Sequence, residues 1–331
     1  MRKNQVVCRS IDEATKIAIF SHVHPDADAL CSSLALKKII QNNFEGKFVD
    51  VFVGGEIAKL YDPVLRDQVV NPQPYRNYDL AIVLDCPSLA RLGEFEELAT
   101  SIPQIINIDH HATNERFGTC NIVSPAVSST CELVALIAFA QQLQLSNTCA
   151  KELYQGIITD TNCFTSMSIT PRTHHVVSEL LKYEFNADAI KKYYFQNNSP
   201  AKTKLLTGAL KSLKFYKNAQ FTTMKIDNVT YQNAQASFVD TLGIIDNGVN
   251  ISNAQVGAIL IESKPGYIYC SLRSKGDVNV GEIAKQFNGG GSATMAAFQT
   301  TGNIRSVEQQ LVDVTKPLLP EDVDDDELLL F

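Results

Sequence analysis

Short apolar runs at 16–21, 47–53, 80–84, 104–108 and 119–123 punctuate the first 125 residues, and stretches of helical periodicity lie between them. Strand-length runs alternating with helices are the habit of a parallel sheet covered by helices. Between the first two runs the spacing predicts a helix over 29–41, with Leu30, Leu34, Ile39 and Ile40 on one side. From Ser128 the pattern turns helical. Ser129 and Glu132 read as a capping box before an apolar run to Leu143. Further helices are predicted at 148–158, 172–183, 187–196 and 201–216, the last of them bridging two domains. Strand signals return at 221–226, 255–262 and 267–273, and Ser263-Lys264-Pro265-Gly266 reads as a hairpin turn between the last two.

The fold class expected is therefore α/β. An N-terminal parallel-sheet domain with helices on both faces occupies 1–195, a linker helix 196–216, and a smaller C-terminal α/β domain 217–320. A length of 331 residues agrees with two domains of ordinary size. Composition changes little, since 45% apolar and 20% charged residues are those of an ordinary globular protein.

Charge changes more. The formal net charge is -7, yet Glu321, Asp322, Asp324, Asp325, Asp326 and Glu327 crowd the last eleven residues, a tail read as disordered and solvated. The remainder is nearly neutral, so net charge neither favours nor excludes a nucleotide partner. Eight scattered cysteines spell neither a zinc ribbon nor a CxxC redox site. The first twenty residues carry Arg2, Lys3, Arg9, Asp12, Glu13 and Lys16 and lack an apolar signal core, and no apolar run reaches eighteen residues. A cytoplasmic location without a membrane partner is expected.

Candidate chemistry lies at the strand ends. Ser21-His22-Val23-His24-Pro25-Asp26-Ala27-Asp28 follows the first strand, where ligands bind in an open parallel sheet. Pro25 bends the chain so that side chains 22, 26 and 28 can converge. Asp26 and Asp28 could simply cap the next helix. The pattern recurs, however, at Asp85 after the third run and at Asp109-His110-His111 after the fourth. Asp160 closes a helical run, where the helix dipole disfavours a carboxylate unless something compensates it. Imidazole and carboxylate ligands without thiolate suit manganese or magnesium better than structural zinc. Their number suits two ions about 3.5 to 4 Å apart with a hydroxide between them.

In their order and spacing, His22-x-x-Pro25-Asp26-x-Asp28, Asp85, Asp109-His110-His111 with Asn114, and Gly156-Ile-Ile-Thr-Asp160 resemble the four motifs of the DHH phosphoesterase family. Arg273-Ser274 and Gly289-Gly290-Gly291 resemble its DHHA1 substrate-binding module. The glycines, read as opening a helix, would let backbone N–H groups approach a phosphate. The resemblance implies that His22, Asp26 and Asp85 hold one metal and that Asp28, Asp85, His110 and Asp160 hold the other. It makes Asp85 the bridge, His111 the residue facing the scissile phosphate, and Asp109 its orienter. Two manganese ions, or magnesium or cobalt, are the implied cofactors.

Ala27 and Cys31 replace usual glycines of the first motif, and Asn162 replaces one after the fourth. Ser292 stands where a histidine normally follows the three glycines. His24 is the variable position of the first motif, and His174 and His175 read as surface residues. The group of this size that the chain resembles, nanoRNases and pAp-phosphatases, implies hydrolysis of short oligoribonucleotides or of adenosine 3',5'-bisphosphate. A cyclic or linear diadenylate phosphodiesterase is the alternative, and a nucleotide sensor with weak or no turnover is the alternative of another class. Short RNA or a small nucleotide is the expected partner, not a long duplex, because no basic stripe with interleaved aromatics is present. A homodimer is carried as a further partner expectation.

Overall fold

A computed structural model describes residues 3–57, 61, 68, 70–75, 77–166 and 168–321. The chain divides into two compact units, Met1–Asn197 and Asn198–Phe331. The acidic segment expected to be disordered lies, apart from Glu321, outside the described residues.

In the first unit, five parallel strands stand in the order β2-β1-β3-β4-β5: β1 (Lys16–Ser21), β2 (Phe48–Val53), β3 (Leu80–Leu84), β4 (Ile105–Asp109) and β5 (Cys120–Val123). Strand periodicity divides each strand between two cores. Ile17 and Ile19 of β1 enter one cluster while Ala18 and Phe20 enter the other, and Ile82 and Val83 of β3 part in the same way. The first face is covered by α1 (Lys3–Glu13), α2 (Ala27–Asn43), α4 (Thr130–Ala140) and α5 (Asn147–Asp160). A 3-10 turn at Leu89–Phe95 and α3 (Glu96–Thr100) cover the second. α6 (Pro171–Leu180) and α7 (Ala187–Phe195) complete the unit.

The strand order reverses between β1 and β3, because β2 lies on one side of β1 and β3 on the other. That crevice is the binding position of an open α/β sheet. Helix α1 was not expected from the sequence. Val7 and Ile11 bury one face of it over the sheet, a signal too short to separate from its charged neighbours.

The second unit is built on a six-stranded mixed sheet, β10-β11-β9-β8-β7-β6, in which only β7 and β8 run parallel. The strands are β6 (Lys214–Tyr216), β7 (Phe221–Ile226), β8 (Val256–Lys264), β9 (Tyr267–Ser274), β10 (Gly290–Gly291) and β11 (Met295–Thr301). α11 (Val280–Lys285) and α12 (Ile304–Thr315) pack on one face. α8 (Pro200–Lys211), α9 (Asn228–Ala234) and α10 (Asp246–Val249) lie on the other side or at its edge.

Two expectations need correction. The helix expected to bridge the domains to residue 216 stops at Lys211. Leu205 and Ala209 pack into the second unit's core, and Lys214–Tyr216 form an edge strand. The three glycines do not open a helix. They follow α11 and lead into the β10–β11 hairpin, where a Cβ on Gly289 would stand 2.3 Å from the Ala297 carbonyl oxygen and one on Gly291 2.3 Å from that of Met295. Close approach of β11, not a helix amino end, is what demands glycine here.

Candidate metal centre

Five strand and helix ends of the first unit bring the predicted acids and imidazoles together. Asp26 ends the loop after β1 and caps α2, its Oδ1 accepting the Ala29 N–H at 3.0 Å. Capping does not exclude metal binding, since a carboxylate has further lone pairs. Asp85 follows β3 in the left-handed region at φ 53°, a conformation aspartate tolerates better than most residues. His110 and His111 follow β4, and Asp160 is the last residue of α5.

Asp85 lies between two imidazoles. His22 Nε2 is 3.6 Å from Asp85 Oδ2 and His110 Nε2 is 3.4 Å from Oδ1, while His110 Nε2 is also 3.8 Å from Asp160 Oδ2. These gaps are too long for good hydrogen bonds. They are near the spacing of donors that share an ion, since donors each about 2.1 Å from one cation stand roughly 3–3.5 Å apart. One donor atom each from His22, Asp26 and Asp85 falls within a 4.8 Å cluster, and so does one each from Asp28, His110 and Asp160. His22 Nδ1–H donates to the Val23 carbonyl oxygen at 2.9 Å, which turns Nε2 toward Asp85.

The electrostatics tell the same story. Burial, reinforced by Asp85 and Asp160, pushes the Asp28 carboxyl well above the usual range. Burial also raises Asp160 to about 7, with Asp85 adding to the effect. Asp85 is held below its ordinary value by His110 and His22, although burial opposes this. Against burial, Asp85 and Asp28 raise His110 to about 10. Four acids thus crowd around two imidazoles, and burial together with their mutual repulsion makes Asp28 and Asp160 hard to ionise. A divalent cation fits such a donor set.

Asp109 is bonded differently. Its Oδ1 accepts the backbone N–H groups of His110 and His111 at 2.8 and 3.2 Å and His111 Nδ1–H at 2.7 Å, and Oδ2 accepts Asn114 Nδ2–H at 2.6 Å. Four hydrogen bonds occupy both oxygens. Although Asp109 also falls within a cluster of Asp85, His110 and His111, it is better placed to orient the His111 ring than to bind an ion. His111, with its side chain 40% exposed, turns Nε2 away from Asp109.

The sequence reading missed the first turn of α4. Asp28, fully buried on α2, accepts the Thr130 N–H at 2.7 Å and the Cys131 N–H at 2.9 Å, and the Thr130 hydroxyl donates to Asp85 Oδ1 at 2.9 Å. The capping box seen in the sequence marked this helix start. In the structure Ser129 Oγ accepts the Glu132 N–H at 3.0 Å, but the Glu132 carboxylate reaches Ser128, one residue before the cap. Also unanticipated is a cavity of about 200 Å³ where Tyr61, Tyr194 and Phe195 face Asp26, Asp28 and Asp160.

Three histidines stay outside the cluster. His24 is exposed at φ 53°, with Nδ1 3.5 Å from the Glu56 carbonyl oxygen. His174 and His175 are exposed on α6, the former 5.5 Å from the Phe164 ring. Asn162, where a glycine is usual, adopts φ 46°, a left-handed conformation asparagine tolerates.

In the second unit, Arg273, Gly290 and Gly291 line a cavity of about 300 Å³ whose walls include Phe238, Leu242, Tyr269 and Met295. Arg273 Nη1 donates to the Leu272 carbonyl oxygen at 3.3 Å. Gly289, Ser274 and Ser292 do not line this cavity. Ser274 Oγ accepts the Gly276 N–H, and Ser292 is exposed and hydrogen-bonded to Met295. Among the described residues, no helix is long and apolar enough to cross a membrane.

Comparison with known proteins assigns this architecture. Residues 16–157 match the N-terminal domain of the DHH family and residues 227–317 the DHHA1 domain. A probable bifunctional oligoribonuclease and PAP phosphatase NrnA of Streptococcus mutans is 32% identical over 303 residues, 91% of this chain and 95% of that protein. The bifunctional oligoribonuclease and PAP phosphatase NrnA of Thermus thermophilus is 25% identical over 291 residues, 86% of this chain and 84% of its own. The crystal structure of an exopolyphosphatase-related protein from Bacteroides fragilis superposes with a TM-score of 0.86 at 27% identity, covering 96% of this chain and 97% of the other. With the strand-end acids and histidines in place and a relative of this identity matching nearly end to end, the chain belongs to the DHH family of phosphoesterases, with a DHHA1 domain following its catalytic domain.

Proposed function

We propose that the protein is a manganese-dependent phosphoesterase acting on short oligoribonucleotides and on adenosine 3',5'-bisphosphate. The observation that carries this reading is Asp85, held between His22 and His110 beside carboxylates that burial has made reluctant to ionise. His22, Asp26 and Asp85 would hold one ion, and Asp28, Asp85, His110 and Asp160 the other. Bound there, two divalent cations would supply an activated water and neutralise charge on the phosphoryl oxygens.

The chain's own residues do the rest. Asp109 and Asn114 fix the His111 ring so that Nε2 can stabilise the phosphoryl group or protonate the leaving oxygen. Arg273 and the glycine hairpin of the second unit would hold a terminal phosphate. The walls beside them, Phe238, Tyr269 and Met295, suit a flat base better than a bare inorganic phosphate. The two curated relatives carry names for this pair of activities, which supports the substrate choice.

The test is a panel of adenosine 3',5'-bisphosphate, RNA of two to five residues, and cyclic and linear diadenylate, each with manganese. Turnover of the first two is the expected result. Cleavage of diadenylates alone would replace the substrate assignment, and tight binding without product on any of them would mark a nucleotide sensor.

A further inference from the structure

We infer that the first turn of α4 is a preorganising clamp for the second ion position, with Thr130 as its positioning residue. A helix's first N–H groups have no partner within the helix and favour an anion. Here two of them, from Thr130 and Cys131, are given to the two oxygens of one carboxylate, Asp28, at 2.7 and 2.9 Å. The Thr130 hydroxyl then reaches a second carboxylate, donating to Asp85 Oδ1 at 2.9 Å. One fully buried residue thus ties together two acids that repel each other.

The clamp is itself anchored. Glu132, two residues further along in the same turn of α4, accepts hydrogen bonds from the Ser128 N–H and hydroxyl at 2.9 and 2.7 Å, from the Thr173 hydroxyl at 2.9 Å and from Arg172 Nε at 3.0 Å. Asp28 has no room to swing aside, since even a Cβ on Gly156 would stand 2.9 Å from its Oδ1. Each clamped oxygen keeps a further lone pair for an ion.

The geometry also gives the clamp a side. Oδ1 of Asp85, which takes the Thr130 hydroxyl, is the oxygen 3.4 Å from His110, whereas Oδ2 faces His22. Thr130 therefore acts directly on the side of Asp28, His110 and Asp160, and meets the group of His22 and Asp26 only through the far oxygen of Asp85. Outer groups of this kind typically change metal affinity by roughly 10–100-fold.

The inference rests on Asp28 and Asp85 being ligands, as proposed above. Its test is calorimetric titration of the metal-free full-length chain with manganese. The wild type is expected to take up two ions. Thr130→Val, which removes only the hydroxyl donor, is expected to keep one ion at wild-type affinity and weaken the other by roughly 10–100-fold, and Thr130→Ser to restore it. Thr130→Ala gives the same reading if the valine variant does not fold. Failure of the wild type to bind ions sinks the ligand assignment. Two ions at wild-type affinity in the valine or alanine variant, or equal weakening of both ions, sinks the clamp alone.

Discussion

Glu308 in the second unit and Asp28 in the first are both buried carboxylates, and the chain treats them in opposite ways. Glu308 on α12 is met by Lys225, by the Thr223 hydroxyl at 2.7 Å and by Lys214 at 3.1 Å. Burial alone would raise its pKa, but these partners outweigh burial and hold it below the ordinary value. Among the described residues, Asp28 receives backbone N–H groups but no lysine or arginine, and its nearest charges include Asp85 and Asp160. Glu308 is neutralised by its own chain, whereas Asp28, on the ligand assignment proposed above, is left for a cation that arrives later. Reading buried acids by who compensates them separates scaffold from site more sharply than burial does.

The comparison can be broken most directly at Asp85. Asp85→Ala is expected to lower turnover by at least about a thousandfold and to abolish uptake of both ions. A variant at wild-type rate would show that the acids are scaffold after all. In the second unit, Glu308→Ala should cost about 3 kcal/mol in denaturant unfolding, because it leaves Lys225 poorly compensated. Its kcat should stay at the wild-type value.

Asp160→Asn sharpens the contrast, because function and stability should part. Activity is expected to fall about a hundredfold, while the metal-free protein should melt roughly 2–4 °C higher as repulsion is relieved. A lower melting temperature would mean that Asp160 is stabilising in its own right. Arg273→Ala should act mainly on KM, raising it about tenfold with kcat nearly unchanged, as loss of a uniform binding contact does. The smallest effect is on pH dependence. Because the folded pKa of Glu308 lies below its ordinary 4.5, its stabilisation is complete above that value and is lost as pH falls through the lower folded one. Unfolding of Glu308→Gln followed from about pH 5 to pH 3 should lack that part of the acid slope; an unchanged slope would remove Glu308 from the compensated class.

Much of the first unit was legible because its signals are local. Runs such as Ile17-Ala18-Ile19-Phe20 must be strands in a two-sided sheet, and an acid or imidazole directly after such a run must stand at its carboxyl edge. The second unit was harder to read. Its glycine run looks the same before a helix as in a hairpin, and only the approach of β11 to Gly289 and Gly291 distinguishes the two. Helix α1 escaped notice because burying Val7 and Ile11 needs a partner surface that periodicity over eleven residues does not reveal.

The order of side-chain types along the chain was enough to determine the parallel sheet, the strand ends where acids and histidines gather, and the inventory of those residues. Tertiary structure alone decided which of those acids are compensated, and which contacts hold the clustered acids in place. The reason is physical. The grip on Asp28 comes from backbone N–H groups 102 and 103 residues away, and every residue but proline carries the same N–H. No choice of letter records where such a donor will point.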